Sequence, residues 1–336
     1  MASVGVIGSG AWGTTLALLL AKSNTETLLW EYKPERAVEM QQRRENTLFL
    51  PGFHFPDMLT VTSDIKEAVK GKDMLILVTP SQRMRENVRL LAPYVDNHTI
   101  FVNASKGIEI SSLKRMTEII REELPNAGNR VAALSGPNMS REIAEGKPTA
   151  AVVAAYDQEV AVHARTLLTT SNYRVYTAND VVGVELGGAL KNIIAICTGI
   201  NDGMNMGDNA KAAFITRGLA ELSRLGLAAG AHPLTFAGLA GIGDLIATCA
   251  SPLSRNHLLG QRIGAGETLE QIMSSTHTVA EGVYTTKAAL KLAERYQVEL
   301  PITHQLSQVL FEGHDPYEAI IELMARDPKH EWEGIM

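Results

Sequence analysis

At 336 residues the chain is longer than one ordinary core organises, so two domains of common size are expected. Hydrophobic residues at 45% and charged residues at 20% exclude a disordered or fibrous chain. A net charge of −6 supplies no basic field for nucleic acid, so an anionic ligand must be met by a few local cations.

Two cysteines, Cys197 and Cys249, are too few for a disulfide scaffold or a zinc site of their own, and no metal is expected; they read as core fillers in a reduced compartment. The opening MASVGVIGSGAWG lacks a basic leader and turns to glycine after a short apolar run, so a cytoplasmic chain is expected. No stable membrane association is expected either, because Glu185 and Lys191 interrupt the most apolar stretch well short of the roughly 20 apolar residues a bilayer needs.

Ser3 to Ile7 is a β-branched run followed at once by Gly8, Ser9, Gly10, Ala11, Trp12 and Gly13, and then by helical spacing from Thr15 to Ala21. Strand, GxGxxG and helix in that order point to a dinucleotide. Gly8 permits the tight turn, Gly10 lets a pyrophosphate approach the backbone, and Gly13 lets helix and strand pack closely. A second strand, Thr27 to Trp30, ends in Glu31, Tyr32 and Lys33. Glu31 suits the ribose 2′-hydroxyl of NAD, Lys33 suits the extra phosphate of NADP, and Tyr32 offers an aromatic edge to adenine, so the cofactor is NADP(H) or NAD(H) with the preference open.

A helix over 34–44 leads into the ordered loop NTLFLPGFHFP. Strands are then expected at 59–62, 74–78, 99–102 and 131–134, alternating with helices at 64–69, up to Leu91 and at 111–123, followed by a strand-like pair at 150–154 and 173–176. The alternation implies a Rossmann-type doubly wound parallel sheet. Ligands of such sheets sit beyond the carboxyl ends of the strands, which singles out the turns at 78–80, at NASKG with Lys106, and at SGPNMS.

From about Asp180 the β pattern stops. Segments 182–200, 209–225, 258–263, 280–296, 302–312 and 317–324 have helical spacing, giving an all-α C-terminal domain. The expected division is therefore 1–179, a dinucleotide-binding domain, and 180–336, a helical substrate domain. The first of these helices carries Lys191 among Leu186, Leu190, Ile193, Ile194 and Ile196, with Gly187 and Gly188 leaving the face before it bare. A lysine without water has a lowered pKa and serves proton transfer near neutrality, whereas a half-buried one reaches solvent with its head group. Between helices, GLAGIGDLIATCASPLSRNHLLG places Asp244 after a glycine cluster, and opens a helix with Ser254, Arg255 and Asn256. Hydroxyl, guanidinium and amide at a helix N-terminus suit a phosphate, and an N-cap serine before a surface arginine reads equally well.

The motifs GSGAWGT, NTLFLPG, NASKGIE, LSGPNMSREIA, ELGGALKNIIAI, GLAGIGDLIATC, SPLSRNHLLG and VAEGV, in this order, resemble the bacterial NAD(P)-dependent glycerol-3-phosphate dehydrogenases over nearly the whole chain. The resemblance implies reversible hydride transfer between a nicotinamide and C2 of dihydroxyacetone phosphate or sn-glycerol 3-phosphate, a step that supplies phospholipid synthesis. It implies Lys191 as the catalytic lysine, Lys106 as a second active-site lysine and Asp244 as a nearby carboxylate. Ser254, Arg255 and Asn256 are implied on the substrate phosphate, with Gly136 and Asn138 on the substrate's other side. Trp12, Lys106, Ser140, Arg255, Val279 and Glu281 are implied on the cofactor. Two positions depart from the pattern. Tyr32 stands where many relatives carry a basic residue, and Asn138 where threonine or serine is common.

A related two-domain β-hydroxyacid dehydrogenase would share the lysine followed by asparagine, but SRN and NASKG fit it poorly. A non-catalytic nicotinamide sensor would need no proton donor. The partner implied is a small phosphorylated substrate, and the long apolar helical faces are compatible with a homodimer.

Overall fold

The structure, a computed structural model, describes residues 2–275 and 280–331. The chain divides into two compact units. One takes the chain up to Ser105 together with Met116–Val181, and the other takes Lys106–Arg115 together with the chain from Val182. The excursion 106–115 is not part of the consecutive division expected at 179/180.

The first unit is built on one sheet of eight strands: β1 (Ser3–Ile7), β2 (Glu26–Trp30), β3 (Leu59–Thr62), β4 (Met74–Leu77), β5 (Ile100–Asn103), β6 (Val131–Ser135), β7 (Thr149–Ala155) and β8 (Tyr173–Ala178). The spatial order is β3-β2-β1-β4-β5-β6-β7-β8. Strands such as β4, MLIL, are buried at every position because helices cover both faces. The side-chain period of two divides them between two cores: Met74 and Ile76 join Leu16, Leu20 and Phe55, while Leu75 and Leu77 join Met84, Val88 and Ile119. Strand order reverses at β1 and β4, the switch point beyond whose carboxyl ends a ligand is held in this architecture.

One pairing departs from the parallel expectation: β6 and β7 are antiparallel. The helix between them, Ser140–Ala144, has five residues. At about 1.5 Å per residue it cannot carry the chain back along the sheet, so β7 enters from the end at which β6 left. A longer helix, Gln158–Leu168, returns the chain for the parallel pairing of β7 with β8.

The helix expected over 111–123 begins at Met116. Residues 108–115 instead close an antiparallel bridge between Ile108 and Arg115, with Leu113 in the left-handed region at φ 60°. Glu109 N–H donates to the Lys114 carbonyl at 3.0 Å. The buried Ile108 side chain packs into the helical unit, which takes this segment out of the helix that follows.

The second unit surrounds the helix Val181–Gly203 with Asp208–Ala228, Arg255–Gly264, Glu281–Tyr296 and Pro301–Phe311. The central helix has 23 residues and is long and apolar enough to cross a membrane, but 89% of its apolar window is buried, so its hydrophobic surface is spent inside the protein. Gly199 and Gly203 face Gly260 and Gly264 of the Arg255–Gly264 helix. A Cβ on Gly199 would lie 2.1 Å from the His257 carbonyl, and one on Gly260 2.0 Å from that of Ile196. Two GxxxG spacings thus bring backbone against backbone and fix where Arg255–Gly264 begins. A buried glutamate, Glu221, anchors another neighbour: it accepts from the N–H groups of Ile302 and Thr303 and the Thr303 hydroxyl at 2.5–3.2 Å, satisfying the first turn of Pro301–Phe311. Desolvation raises its pKa to about 7 against the opposing hydrogen bonds.

Candidate functional site

In the sheet unit, the glycine loop leaves β1 with Gly8 at φ +118°, where a Cβ would lie 2.5 Å from the Val78 carbonyl. Gly13 tucks its helix onto the same turn, its missing Cβ being 1.9 Å from the Gly8 carbonyl, whereas a Cβ on Gly10 meets nothing within 4 Å. The loop is therefore closed on the protein side and open at Gly10, the N-cap of Ala11–Lys22, whose first turn carries no acid to occupy its N–H groups. Trp12 Nε1 is buried without a partner among the described residues. An open glycine at a helix N-terminus and an unsatisfied indole donor fit a bound pyrophosphate-bearing cofactor.

Asn46 sets this loop. Its side-chain N–H groups donate to the Ser9 carbonyl at 2.8 Å and to Thr14 Oγ1 at 2.9 Å, and its oxygen accepts from Phe49 N–H at 3.2 Å. It is the first residue of the NTLFLPG loop, and its completely buried amide gives that motif a physical purpose. Glu31 is only 1% exposed. Ser9 donates to its Oε2, Arg36 lies 3.2 Å from the same oxygen, and Lys33 N–H donates to Oε1 at 3.0 Å. The acid that reads as a ribose acceptor in sequence is thus committed to the protein's own groups. Tyr32, by contrast, is 64% exposed, and Lys33 Nζ sits 5.6 Å from its ring centroid.

In the same unit, Gly136 follows β6 with φ +133°, and a Cβ there would approach Ala151 Cα to 3.0 Å. Asn138 accepts from the Tyr173 hydroxyl at 3.1 Å, while its buried amide nitrogen has no partner among the described residues. The Ser140 carbonyl accepts from Thr15 Oγ1 at 3.1 Å, tying the SGPNMS turn to the helix after the glycine loop.

The helical unit assembles a different set. Lys191 is 4% exposed and Asp244 completely buried. The Lys191 ammonium donates to Asp244 Oδ1 and to Thr248 Oγ1, and Lys106 Nζ donates to Asp244 Oδ2 at 2.6 Å. Thr248, one helical turn after Asp244, donates its own hydroxyl hydrogen bond to the Asp244 carbonyl at 2.6 Å. Desolvation is the main force lowering the Lys191 pKa, to about 7; the Lys106 charge adds to it, and Asp244 opposes it. One carboxylate shared by two ammonium groups leaves net positive charge when Lys191 is protonated. An ammonium has three N–H donors and two are engaged by described residues, so one remains for an oxygen of a substrate.

The glycines around this cluster do something the sequence does not suggest. Gly187 leaves no empty face for a ligand: a Cβ there would lie 2.5 Å from the Ala240 carbonyl. Ala240 belongs to the tight turn Leu239–Gly243, where Gly241 adopts φ −98°, ψ −107° and a Cβ would fall 2.1 Å from the Phe236 carbonyl. Gly187 and Gly241 together press this turn onto the lysine helix, and so deliver Asp244, the first residue of Asp244–Ala250, to Lys191. The expectation of room at Gly187 is corrected accordingly.

Ser254 caps Arg255–Gly264, its hydroxyl accepting from His257 N–H at 3.2 Å. Arg255 is exposed and has no hydrogen-bond partner among the described residues; desolvation lowers its pKa, and the charge of Glu281, at the start of Glu281–Tyr296, opposes that. Asn256 is committed internally. Its amide donates to Asn192 Oδ1 at 2.9 Å and accepts from Gly282 N–H at 3.0 Å, joining three helices. Val279 lies outside the described residues. Thr248, Asn192 and Asn46 escape the sequence reading. Only Thr248 carried a usable signal, its i,i+4 spacing from Asp244.

A family model described as the N-terminus of NAD-dependent glycerol-3-phosphate dehydrogenase matches residues 3–161, and the model of its C-terminus matches residues 180–321. A protein of Geobacter metallireducens named glycerol-3-phosphate dehydrogenase [NAD(P)+] is 50% identical over 98% of both chains. One of the same name from Dehalococcoides mccartyi is 46% identical over 99% of this chain and 94% of its own. The crystal structure of glycerol-3-phosphate dehydrogenase from Coxiella burnetii is similar with a TM-score of 0.92 at 35% identity, covering 97% of this chain and 99% of that one.

Proposed function

The chain belongs to the NAD-dependent glycerol-3-phosphate dehydrogenase family, and from that premise we infer what its residues do. The reaction is the reversible NAD(P)H-dependent reduction of dihydroxyacetone phosphate to sn-glycerol 3-phosphate, which supplies glycerophospholipid synthesis. The bound nicotinamide dinucleotide supplies or takes the hydride.

The observation that carries the residue assignment is the shared carboxylate: Lys191 and Lys106 both bonded to Asp244, with Thr248 on Lys191. Reduction of a ketone develops negative charge on oxygen and needs a proton. Lys191, able to exist as ammonium or amine near neutrality, polarises the carbonyl through its third N–H and donates that proton; in oxidation the neutral amine accepts it. Asp244 and Thr248 fix the direction of the ammonium, and Lys106 adds positive charge where the oxyanion forms. Arg255, exposed at the N-terminus of its helix, holds the substrate phosphate, with the backbone N–H groups that Ser254 leaves available. Binding energy from the phosphate then orients the reacting carbon. Asn256 supports this indirectly by locking the helix start to Asn192 and Gly282. Gly136 and the unpartnered amide of Asn138 are assigned to the substrate as well.

Gly8, Gly10, Ala11, Trp12 and Gly13 hold the dinucleotide, with Ser140, Lys106, Arg255 and Glu281 as further cofactor contacts. Engagement of Glu31 by Ser9 and Arg36 leaves Tyr32 and Lys33 as the groups offered to the adenosine end, compatible with either NADP(H) or NAD(H).

Oxidation of NADH and of NADPH, each with dihydroxyacetone phosphate and with a panel of hydroxy-acid and keto-acid substrates, tests this reading. Turnover with dihydroxyacetone phosphate alone supports it, turnover of the acids instead overturns it, and cofactor binding without any turnover identifies a sensor.

A further inference from the structure

The segment Lys106–Arg115 belongs to the helical unit, although the chain on both sides of it is built into the sheet unit. Something must hold so short an excursion in place. Ile108 is buried in the helical core, with Ile110 and Leu113 packed against the same cluster. The Ile108–Arg115 bridge and the Leu113 N–H donating to the Glu109 carbonyl at 2.8 Å close the segment on itself. Both its ends are then tied by charge. At one end Lys106 reaches Asp244 at 2.6 Å. At the other, Arg115 Nη1 lies 2.8 Å from Glu185 Oε2, the two side chains being 12% and 4% exposed.

Glu185 and Lys191 share one helix, six residues or about 9 Å apart along its axis. Because the bridge sets Arg115 beside Ile108, two residues from Lys106, an anchor at Arg115 is an anchor for Lys106. A buried ion pair adds little net stability over an apolar pair of equal volume; what it can add is a fixed register. We propose that Arg115 and Glu185 are positioning residues: their ion pair fastens the 106–115 segment to the lysine helix, so that the Lys106 ammonium stays on Asp244 across from Lys191.

The consequence is electrostatic. The charged groups acting on Lys191 are Asp244, which favours its protonated form, and Lys106, which disfavours it. Cys249 lies near enough to feel the Lys191 charge, but burial pushes its thiol up to about 11, so it stays neutral through the working range. If the pair is lost, Lys106 is free to leave Asp244, its repulsion disappears, and Lys191 keeps its proton to higher pH.

The inference rests on Lys191 as proton donor, so the test has a readout that does not need turnover. The Lys191 13Cε chemical shift, assigned with Lys191→Arg, is followed against pH in the full-length protein, and kcat and KM for dihydroxyacetone phosphate reduction are measured beside it. Arg115→Met is expected to raise the Lys191 titration midpoint by about one pH unit, the scale on which a nearby charge acts. It should lower kcat about tenfold. Lys106→Met should shift the midpoint in the same direction, and Arg115→Met added to Lys106→Met should shift it no further. Arg115→Lys, which keeps the charge, should restore most of the wild-type profile. The double variant Arg115→Met/Glu185→Leu guards against simple misfolding: its Tm should lie near that of the wild type while its midpoint remains raised. A wild-type midpoint in that folded double variant, or shifts from Arg115→Met and Lys106→Met that add, would overturn the proposal. A protein whose Lys191 titrates as expected but which turns over no substrate refutes the functional assignment and leaves this inference standing.

Discussion

Two glycine-rich regions, Gly8–Gly13 in the sheet unit and Gly187 with Gly238–Gly243 in the helical unit, use the missing side chain in opposite ways. In the first, Gly8 and Gly13 are filled by neighbouring backbone while Gly10 is left open, so the loop is rigid and still presents bare N–H groups. In the second, protein fills the space at both Gly187 and Gly241, and what the close approach delivers is a side chain, Asp244, to the ammonium of Lys191. A glycine cluster therefore marks a place for a ligand only where nothing of the protein's own comes to occupy it. The same contrast holds for the buried acids. Glu31 is engaged by groups to which the proposed mechanism gives no part, whereas Asp244 is shared by the two lysines to which it gives one.

The largest expected effect tests the helical cluster. Lys191→Ala should lower kcat by about 10³-fold, within the range attributed to a positioned acid or base, while the Kd for NADPH or NADH, read by fluorescence titration, stays within about twofold. Near-normal turnover would remove Lys191 from the mechanism. Arg255→Ala comes next. It should raise KM for dihydroxyacetone phosphate about 10- to 100-fold, the worth of a charge-assisted pair, and leave cofactor binding of the sheet unit weakened far less.

The pH dependence is a finer probe of the same cluster. With the Lys191 pKa near 7, reduction should fall about tenfold per pH unit above that value as the ammonium is lost, and oxidation should rise toward a plateau. The linkage to stability has a definite sign. Between about 7 and 10.5 the unfolded chain holds a proton that the folded one lacks, so this group's contribution to stability is complete above 10.5 and lost as pH falls through 7. Urea unfolding of wild type and Lys191→Met across that window measures it; equal pH slopes would show that the lysine titrates normally.

The smallest effects address the glycines directly. Gly10→Ala should fold with an unchanged Tm and bind NADPH or NADH more weakly, because its methyl enters open space. Gly187→Ala should cost about 1–3 kcal/mol, as overpacking does, because its methyl collides with the Ala240 carbonyl. Equal thermal shifts in the two variants would erase the distinction drawn between the regions.

Much of this was legible in the order of residues. All eight strands are readable, because apolar runs such as MLIL and VAALS alternate with helical spacing, and the glycine fingerprint follows the first of them. Lys191, Asp244 and Lys106 could be singled out by their local surroundings and by the family motifs. Three features were not legible, each for a stated reason. The antiparallel β7 depends on the length of one short helix. The helix expected from Ser111 was displaced by a left-handed Leu113 and by the burial of Ile108 in the other unit. The function of Asn256 depends on two partners, Asn192 and Gly282, which are distant in sequence.

Sequence by itself determined the two kinds of architecture and the glycine fingerprint after the first strand, because periodicity and glycine spacing are local properties of a chain. Only the tertiary structure decided that Glu31 is sequestered, that Gly187 admits a carbonyl rather than a ligand, and that Asp244 binds Lys191 and Lys106 together. Each of those rests on groups from 22 to 138 residues apart meeting where water is excluded, and burial of that kind is a property of the packed fold rather than of any stretch of it.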